Sequence, residues 1–490
     1  MSPAVDCINT ALSLSLSLSI LSRLSLVSLK SPPPRTRTKA KTKSSGNLPS
    51  YPPLVFFLME TTEAPLPLLD ANQRSKNGGG GGGATSAQTL GNIVVSLLGT
   101  GALGLPYAFR VSGWLSGSLG LAAAAAVVYY CMLLLIRCRN KLEEGRDKDG
   151  AAVQIQTYGD LGAEAFGVPG RCLTEVLVVI SYAGTTVSYL FFMGENLSSV
   201  FSSYGISPSA FVFALLLPLE AALSFIRSFS VLAPFSILAD ACNVLAMAIV
   251  LAVDVQQLRK PSGKAKRSAF NGAWSLPFAG GVAVFCFEAF GLTLSLEASM
   301  AERKKFPWVL LQAFLGTAAA YICFGVFGYL AYGEDTNDII TLNLPSNWLA
   351  SIVKVGLCIA LAFTFPMIIH PVNEIIENKL DSSEWFQKLC QNLPGRNWLG
   401  LQAVRLLIVV AVAFLATSVP GFAILISFTG STVCALLAFV LPATFHLKLL
   451  GSSSTPLQRV LDYSILATGL VFAGYSIYSA VSGHSMGFMT

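Results

Sequence analysis

Charge is the scarcest ingredient of this sequence. Only 12% of its 490 residues are Asp, Glu, Lys or Arg, about half the roughly 25% of a soluble domain. Hydrophobic residues make up 53%. Any water-soluble globule leaves much of its surface exposed, so a chain this apolar lacks the polar residues to cover itself. The bilayer is the solvent that fits. Histidine is scarcer still. His370, His446 and His484 are the three in the chain, far apart and without the H-E-x-x-H spacing of a zinc site. The ten cysteines form no C-x-x-C pair. Most fall in or beside apolar runs, where a thiol packs as a small hydrophobe rather than in a disulfide framework. With no metal cluster and no nucleophile–base motif, an enzyme is not expected, and neither is a cofactor. The net charge of +6 does not indicate nucleic acid, because seven of the 32 basic residues lie in the first 43 positions. The others are interrupted by apolar runs, so no continuous basic stripe forms.

Residues 1–88 differ from the rest. Leu12–Ile20 alternates Leu with Ser, Pro32–Pro34 precedes the basic run Arg35–Lys43, and six glycines occupy 78–83. Such segments have no apolar face to bury and read as a disordered cytosolic tail. The first 43 residues have the composition of a transit peptide. The plainer reading is that 1–58 lie upstream of the true start, with Met59 opening a tail that runs to an acidic dileucine-like Leu68-Leu69.

A helix needs about 20 apolar residues to cross the hydrocarbon. Eleven candidates follow one another between 89 and 481. The first lies at 89–111, the fifth at 231–253 and the sixth at 277–300. The pairs at 209–253 and 400–446 have the shortest connections. Lys and Arg favour the cytoplasmic side. With the N-terminus in the cytosol, Arg137, Arg139, Lys141, Arg303, Lys304, Lys305 and Lys379 all fall inside, and the acidic loop 333–349 falls outside. The basic cluster 259–267 runs against this pattern. An odd count places the C-terminal tail, 482–490, opposite the N-terminus.

The first span contains Gly99-Thr100-Gly101-Ala102-Leu103-Gly104-Leu105-Pro106. Gly costs about 1 kcal/mol relative to Ala inside a helix and Pro about 3. A break is expected here. Broken helices are tolerated in a membrane where the freed backbone is buried in protein or lines a cavity. Half-helix N-termini then suit a carboxylate and half-helix carbonyls suit a cation. Close packing through small residues is the competing explanation. A partner favours the site: Ala289-Phe290-Gly291-Leu292 in the sixth span aligns with Ala102-Leu103-Gly104-Leu105. This is the matching position if 89–253 and 277–446 are five-span repeats, and an odd repeat is inverted. The last helix, 457–481, is then an addition.

Ionisable residues deep in a membrane are costly and usually functional. Glu288, beside the second break, is the candidate for proton coupling, since a carboxyl kept from water resists ionisation and can load and release a proton. A structural hydrogen bond is the alternative. Asp240 and Asn243 share a helix face and could bridge helices or hold a cation. Glu195 and Glu220 are expected near helix ends, snorkelling, and His370 at a helix end between Pro366 and Pro371. Thr185, Thr186 and Ser188 in the third span, Thr364 in the eighth, and Ser427, Thr429 and Ser431 in the tenth add hydroxyls that bond across helices or line a polar path.

Several of these stretches, taken in order, resemble the amino acid/auxin permease family. They are Leu90-Gly91-Asn92 through Gly99–Phe109, Tyr158-Gly159-Asp160-Leu161-Gly162, Phe287–Gly291 with Leu296-Glu297, Tyr332-Gly333 with Ile339–Pro345, and Ser427–Ser431 with Leu441-Pro442. The resemblance covers essentially 89–481 and is strongest to the plant branch carrying aromatic and neutral amino acids. It implies an all-α integral membrane protein with about eleven transmembrane helices in a LeuT-like 5+5 inverted repeat, helices 1 and 6 broken. It implies proton-coupled transport of amino acids across a vacuolar or plasma membrane, or carriage of auxin-like indole acids. It also places the substrate carboxylate at the backbone of Gly99, Thr100, Gly101, Ala102 and Gly104. The amine is then near Phe287, Ala289, Phe290 and Gly291. A nutrient sensor that binds an amino acid without moving it is the main alternative class. A channel would require a repeated polar filter, which the sequence does not contain.

Overall fold

A computed structural model describes residues 84–149, 155, 157–225, 229–259, 267–381 and 396–481. Most of the expected tail, the loop residues 260–266 and the segment 482–490 lie outside the described residues. The described chain is helical, with one isolated bridge pairing Ala84 with Met300.

The first helix, α1 (Ser86–Leu97), opens three residues before the expected span. Thr85 and Gln88 form a capping box, each side chain accepting the other's backbone N–H, which satisfies two donors that a helix start leaves open. The chain leaves helical geometry at Leu98 (φ −75°, ψ 87°) and Gly99 is extended. It resumes as α2 (Thr100–Ser112), bent 48° from α1. The glycines and proline divide the work differently from the expectation. Pro106 does not break anything. It sits in the first turn of the α-helical part of α2, where its missing N–H has no helical partner to lose.

Next come α3 (Trp114–Asp149) and α4 (Tyr158–Val200), two helices merged across a kink at Gly167 (φ 69°) ahead of Pro169. They are followed by α5 (Pro208–Ser224) and α6 (Phe229–Arg259). The sixth span starts as α7 (Leu276–Cys286), loses helical form at Phe287–Ala289, and ends as α8 (Thr293–Ser299). The remainder is α9 (Phe306–Tyr332), α10 (Trp348–Asp381), α11 (Arg396–Ser418), α12 (Phe422–Leu450) and α13 (Pro456–Val481).

Among the described residues nine helices are long and apolar enough to cross a membrane, and the bent pair α1–α2 makes a tenth span. The shorter α5 is apolar too. Its length, about 25 Å at 1.5 Å per residue, falls short of the hydrocarbon thickness of about 30 Å, so ten spans stand against the eleven expected, with α5 at the place of the remaining one. The two breaks fall in the first and sixth spans, the spacing a five-plus-five repeat requires.

Burial locates the working centre. The sixth span is 72% enclosed and α12 67%, against 22% for α13, so the added helix is peripheral. Spans six and ten cross at a pair of glycines. A Cβ on Gly430 would lie 1.9 Å from the Gly281 carbonyl oxygen, an approach that no larger residue permits. The outer faces carry exposed Leu119, Leu173, Leu407 and Val471, while Trp274, Trp308 and Trp348 stand exposed near helix starts, as interfacial tryptophans do.

Candidate functional site

The two breaks face one cavity. Its volume is about 50 Å³, well below the roughly 300–1,000 Å³ of small-molecule sites, so the two broken spans must part further to admit a whole amino acid. Its lining joins Ser96, Leu97, Gly99, Thr100 and Gly101 of the first span to Phe285, Cys286 and Glu288 of the sixth. Tyr182, Thr185 and Tyr189 of α4 and Ile368 of α10 complete it.

The helix α4 holds both breaks through hydroxyls. Thr185 Oγ1 donates to Glu288 Oε2 at 2.6 Å, and Ser181 donates to Glu288 Oε1. One turn on, Ser188 Oγ lies 3.2 Å from Thr100 Oγ1. The Cys434 thiol of α12 lies 3.4 Å from Ser181 Oγ. Glu288 is thus held by side chains of a neighbouring span, not by its own backbone, and it keeps partial exposure to the cavity. The break in the first span is anchored from α9, where Tyr321 Oη donates to the Leu97 carbonyl at 2.6 Å.

The expected site residues divide into two groups. Gly99, Thr100, Gly101 and Glu288 line the cavity. Ala102 and Gly104 are enclosed away from it, and a Cβ on Gly104 would lie 2.6 Å from Ile426 and 3.3 Å from Phe422. The Phe287 ring stacks on Phe314 with centroids 5.4 Å apart, and Ala289 and Phe290 are buried. Gly291 is set where a Cβ would meet Tyr182 Oη at 2.5 Å. Asn243 lines a smaller cavity together with Leu98, Gly99 and Thr100, while Asp240 is half-buried on the same helix. Thr186 and Thr364 donate to carbonyls of their own helices.

One acid and one base differ from their expected surroundings. Glu220 is fully enclosed, with neither carboxyl oxygen hydrogen-bonded, because α5 packs its face against α10 and α11 and leaves no route to water. Arg139, counted among loop charges, is also fully buried, since α3 continues past the expected end of the second span. It pairs with Glu297 of α8. Tyr182, Tyr189 and Ser181 were not singled out from the sequence; on an apolar helix a tyrosine carries no mark of which face meets a cavity.

Residues 82–482 match the model of the family described as transmembrane amino acid transporter protein. The chain is 47% identical over 429 residues to amino acid transporter ANT1 of Arabidopsis thaliana, covering 86% of this chain and 98% of that one. The chain belongs to the transmembrane amino acid transporter family. It is an integral, multi-pass amino acid transporter and not an enzyme. Amino acid transporter AVT3B of Arabidopsis thaliana is 36% identical over 419 residues, with 83% of this chain and 95% of that one covered. Among solved structures, that of MhsT in complex with L-phenylalanine covers 80% of this chain and 98% of its own, at a TM-score of 0.43 and 15% identity.

Proposed function

We propose that the protein carries neutral and aromatic amino acids across its membrane in symport with protons, with Glu288 as the coupling group. The observation that carries this reading is the position of Glu288. Its carboxyl borders the same cavity as Gly99–Gly101 and is clasped by Ser181 and Thr185.

The first N–H groups of a helix have no helical acceptor. Thr100 and Gly101 stand at the start of α2 and line the cavity, where the dipole favours a carboxylate. The half-helix ending at Cys286 stops at the same cavity, which Phe285 and Cys286 line, and a half-helix C-terminal end suits an ammonium group. Glu288 is the one charged side chain in the lining, which supports substrates whose side chains are themselves uncharged. Tyr182, Tyr189 and Phe285 supply the flat apolar walls that aromatic side chains favour. A carboxyl that is part of the cavity wall can gain a proton when the cavity opens to the acidic side. It can lose that proton when the cavity opens to the other side.

The test is uptake of labelled phenylalanine, tyrosine, leucine and lysine by purified protein in liposomes under an imposed pH gradient. The first three should accumulate with the gradient and lysine should not. Equal uptake with and without the gradient would remove proton coupling, and preference for lysine would remove the neutral-substrate reading.

A further inference from the structure

Asp254 lies on α6, five residues before that helix ends. It is fully enclosed, and neither of its carboxyl oxygens has a hydrogen-bond partner. Glu220 shares this condition, whereas two other buried acids are provided for. Asp462 accepts from Tyr130 and pairs with His446 at 2.6 Å, and Glu297 pairs with Arg139. Tyr332 of α9 lies beside Asp254, without a hydrogen bond of normal geometry. Arg110 of α2, a cation at the same end of the molecule, is turned instead to the Thr336 carbonyl at 2.9 Å and to Glu334.

The surroundings of this carboxyl belong to the transport machinery. At Gly328 of α9, an added Cβ would lie 2.6 Å from the Pro106 ring and 3.4 Å from Asp254 Oδ2. Three helices therefore meet at one point: α6 with its acid, α9 with no side chain, and α2 with the ring of Pro106. α2 is the half-helix that follows the break in the first span. Its separation from α9 is the movement that would admit water to Asp254.

We infer that Asp254 is a second proton-binding site of the transporter, occupied while α2 is packed on α9 and emptied to water when α2 withdraws. This rests on the proton-coupled reading above and adds a site to it. A bare carboxylate enclosed without a hydrogen bond or a counter-charge is too costly to persist, and such a group neutralises. In the packed state the carboxyl carries its hydrogen. On opening, the O–H bond breaks, the electron pair stays on the carboxylate, and the proton passes to water. The site takes a proton and no larger ion, because Pro106 and Gly328 close over it. Glu288 meets the substrate cavity; Asp254 instead senses whether the first span is closed, so each cycle moves a proton at each site.

Two measurements test this. In liposomes with the membrane potential clamped, each coupled proton raises the limiting accumulation ratio about tenfold per pH unit of gradient, because a factor of ten is about 1.4 kcal/mol on either scale. The wild type should follow two such factors and Asp254→Asn one, with amino acid exchange retained. Infrared spectra of the protein in the same liposomes should lose one protonated-carboxyl C=O band in Asp254→Asn. Asp254→Ser, smaller and neutral, should behave alike and stands in should the first variant not insert. A wild-type slope in both variants, or spectra in which neither variant loses a protonated-carboxyl band, overturns the inference. A wild type with no gradient dependence would overturn the proton-coupled reading instead, and the infrared band would still report whether Asp254 holds a proton.

Discussion

Tyr321 donates its hydroxyl to the Leu97 carbonyl at 2.6 Å, supplying from another helix the bond that the break at Leu98–Gly99 takes away. In an unbroken helix that carbonyl would accept from the N–H of Gly101. A buried carbonyl left without a partner costs about 1–3 kcal/mol. Tyr321→Phe should therefore release the end of α1 while keeping the ring against Phe287. The expected result is an apparent affinity for amino acid lower by about tenfold, equivalent to ~1.4 kcal/mol, at near-normal expression. Unchanged KM in uptake assays would mean that water replaces the phenol at no cost.

Glu288→Gln keeps the size of the side chain and an acceptor for Thr185, but it cannot release a proton. Gradient-driven accumulation should be abolished while exchange of internal for external amino acid persists in part. The check is paired: net uptake under a pH gradient, and counterflow without one. Retained pH dependence of net uptake would reject the coupling role. Loss of counterflow as well would indicate that the carboxylate binds substrate directly.

The glycines of the first break should separate by what stands opposite each one. A Cβ on Gly99 would have Tyr189 Oη at 3.9 Å as its nearest neighbour, whereas one on Gly101 would meet Phe285 at 2.9 Å and Cys286 at 3.0 Å. Gly104→Ala would press on Ile426 at 2.6 Å. Overpacking of this kind costs typically 1–3 kcal/mol. Gly99→Ala should alter KM with little change in thermal stability. Gly101→Ala and Gly104→Ala should lower the melting temperature in detergent first. The comparison fails if Gly104→Ala is as stable as wild type and loses only substrate affinity.

Both breaks are legible because their cause is local: glycines and a proline in the first span, and the matching Ala-Phe-Gly-Leu with an intramembrane glutamate in the sixth. The partners of those breaks are not local. Thr185, Thr186 and Ser188 are equivalent in the sequence, yet the turn of α4 aims Thr185 at Glu288 and Ser188 at Thr100 and leaves Thr186 bonded to its own helix. Gly104 belongs to the motif but packs on α12, since a 3-10 turn rotates successive residues to different faces. Asp254 was invisible for a simpler reason. The apolar run suggests a span ending at 253, and the helix continues to Arg259, carrying the acid into the protein.

Asp338 makes docking of the acidic loop sensitive to pH. Its carboxylate accepts the N–H of Phe422 at 2.9 Å, at the start of α12. Burial nevertheless lifts its pKa above the ordinary 3.8, against the opposing pull of backbone N–H groups from Phe422, Ile339 and Ala423. The docked loop thus binds a proton more readily than the undocked one. Its extra stability is complete below the undocked value and is lost as the pH rises through the docked one. Amide hydrogen exchange over 336–344, corrected for intrinsic rates, should show protection increasing as the pH falls through that window. Asp338→Asn, which keeps an acceptor but does not titrate, should flatten the dependence. A variant with the same pH profile as wild type would assign the effect to another group.

Arg139 and Glu297 make a prediction about stability that differs for single and double changes. Arg139 is fully enclosed. It pairs with Glu297, donates to the Leu294 carbonyl at 2.9 Å and has Glu143 at 3.7 Å as a second, partly exposed partner. These contacts tie α3 to α8, the half-helix that follows the second break. Removing one member of a buried pair costs about 3–5 kcal/mol because the other charge stays behind, whereas replacing both with apolar residues is often neutral. Glu143 softens the first case by offering Arg139 another carboxylate. Glu297→Met should therefore destabilise less than Arg139→Met, which leaves Glu297 without a cation. The double variant should be more stable than Arg139→Met alone. Melting temperatures of the four proteins in one detergent give the coupling. A double variant whose loss equals the sum of the two singles would show that the pair does not act as a unit. If the double variant recovers stability but not transport, the bond matters for the movement of α8 rather than for holding the fold.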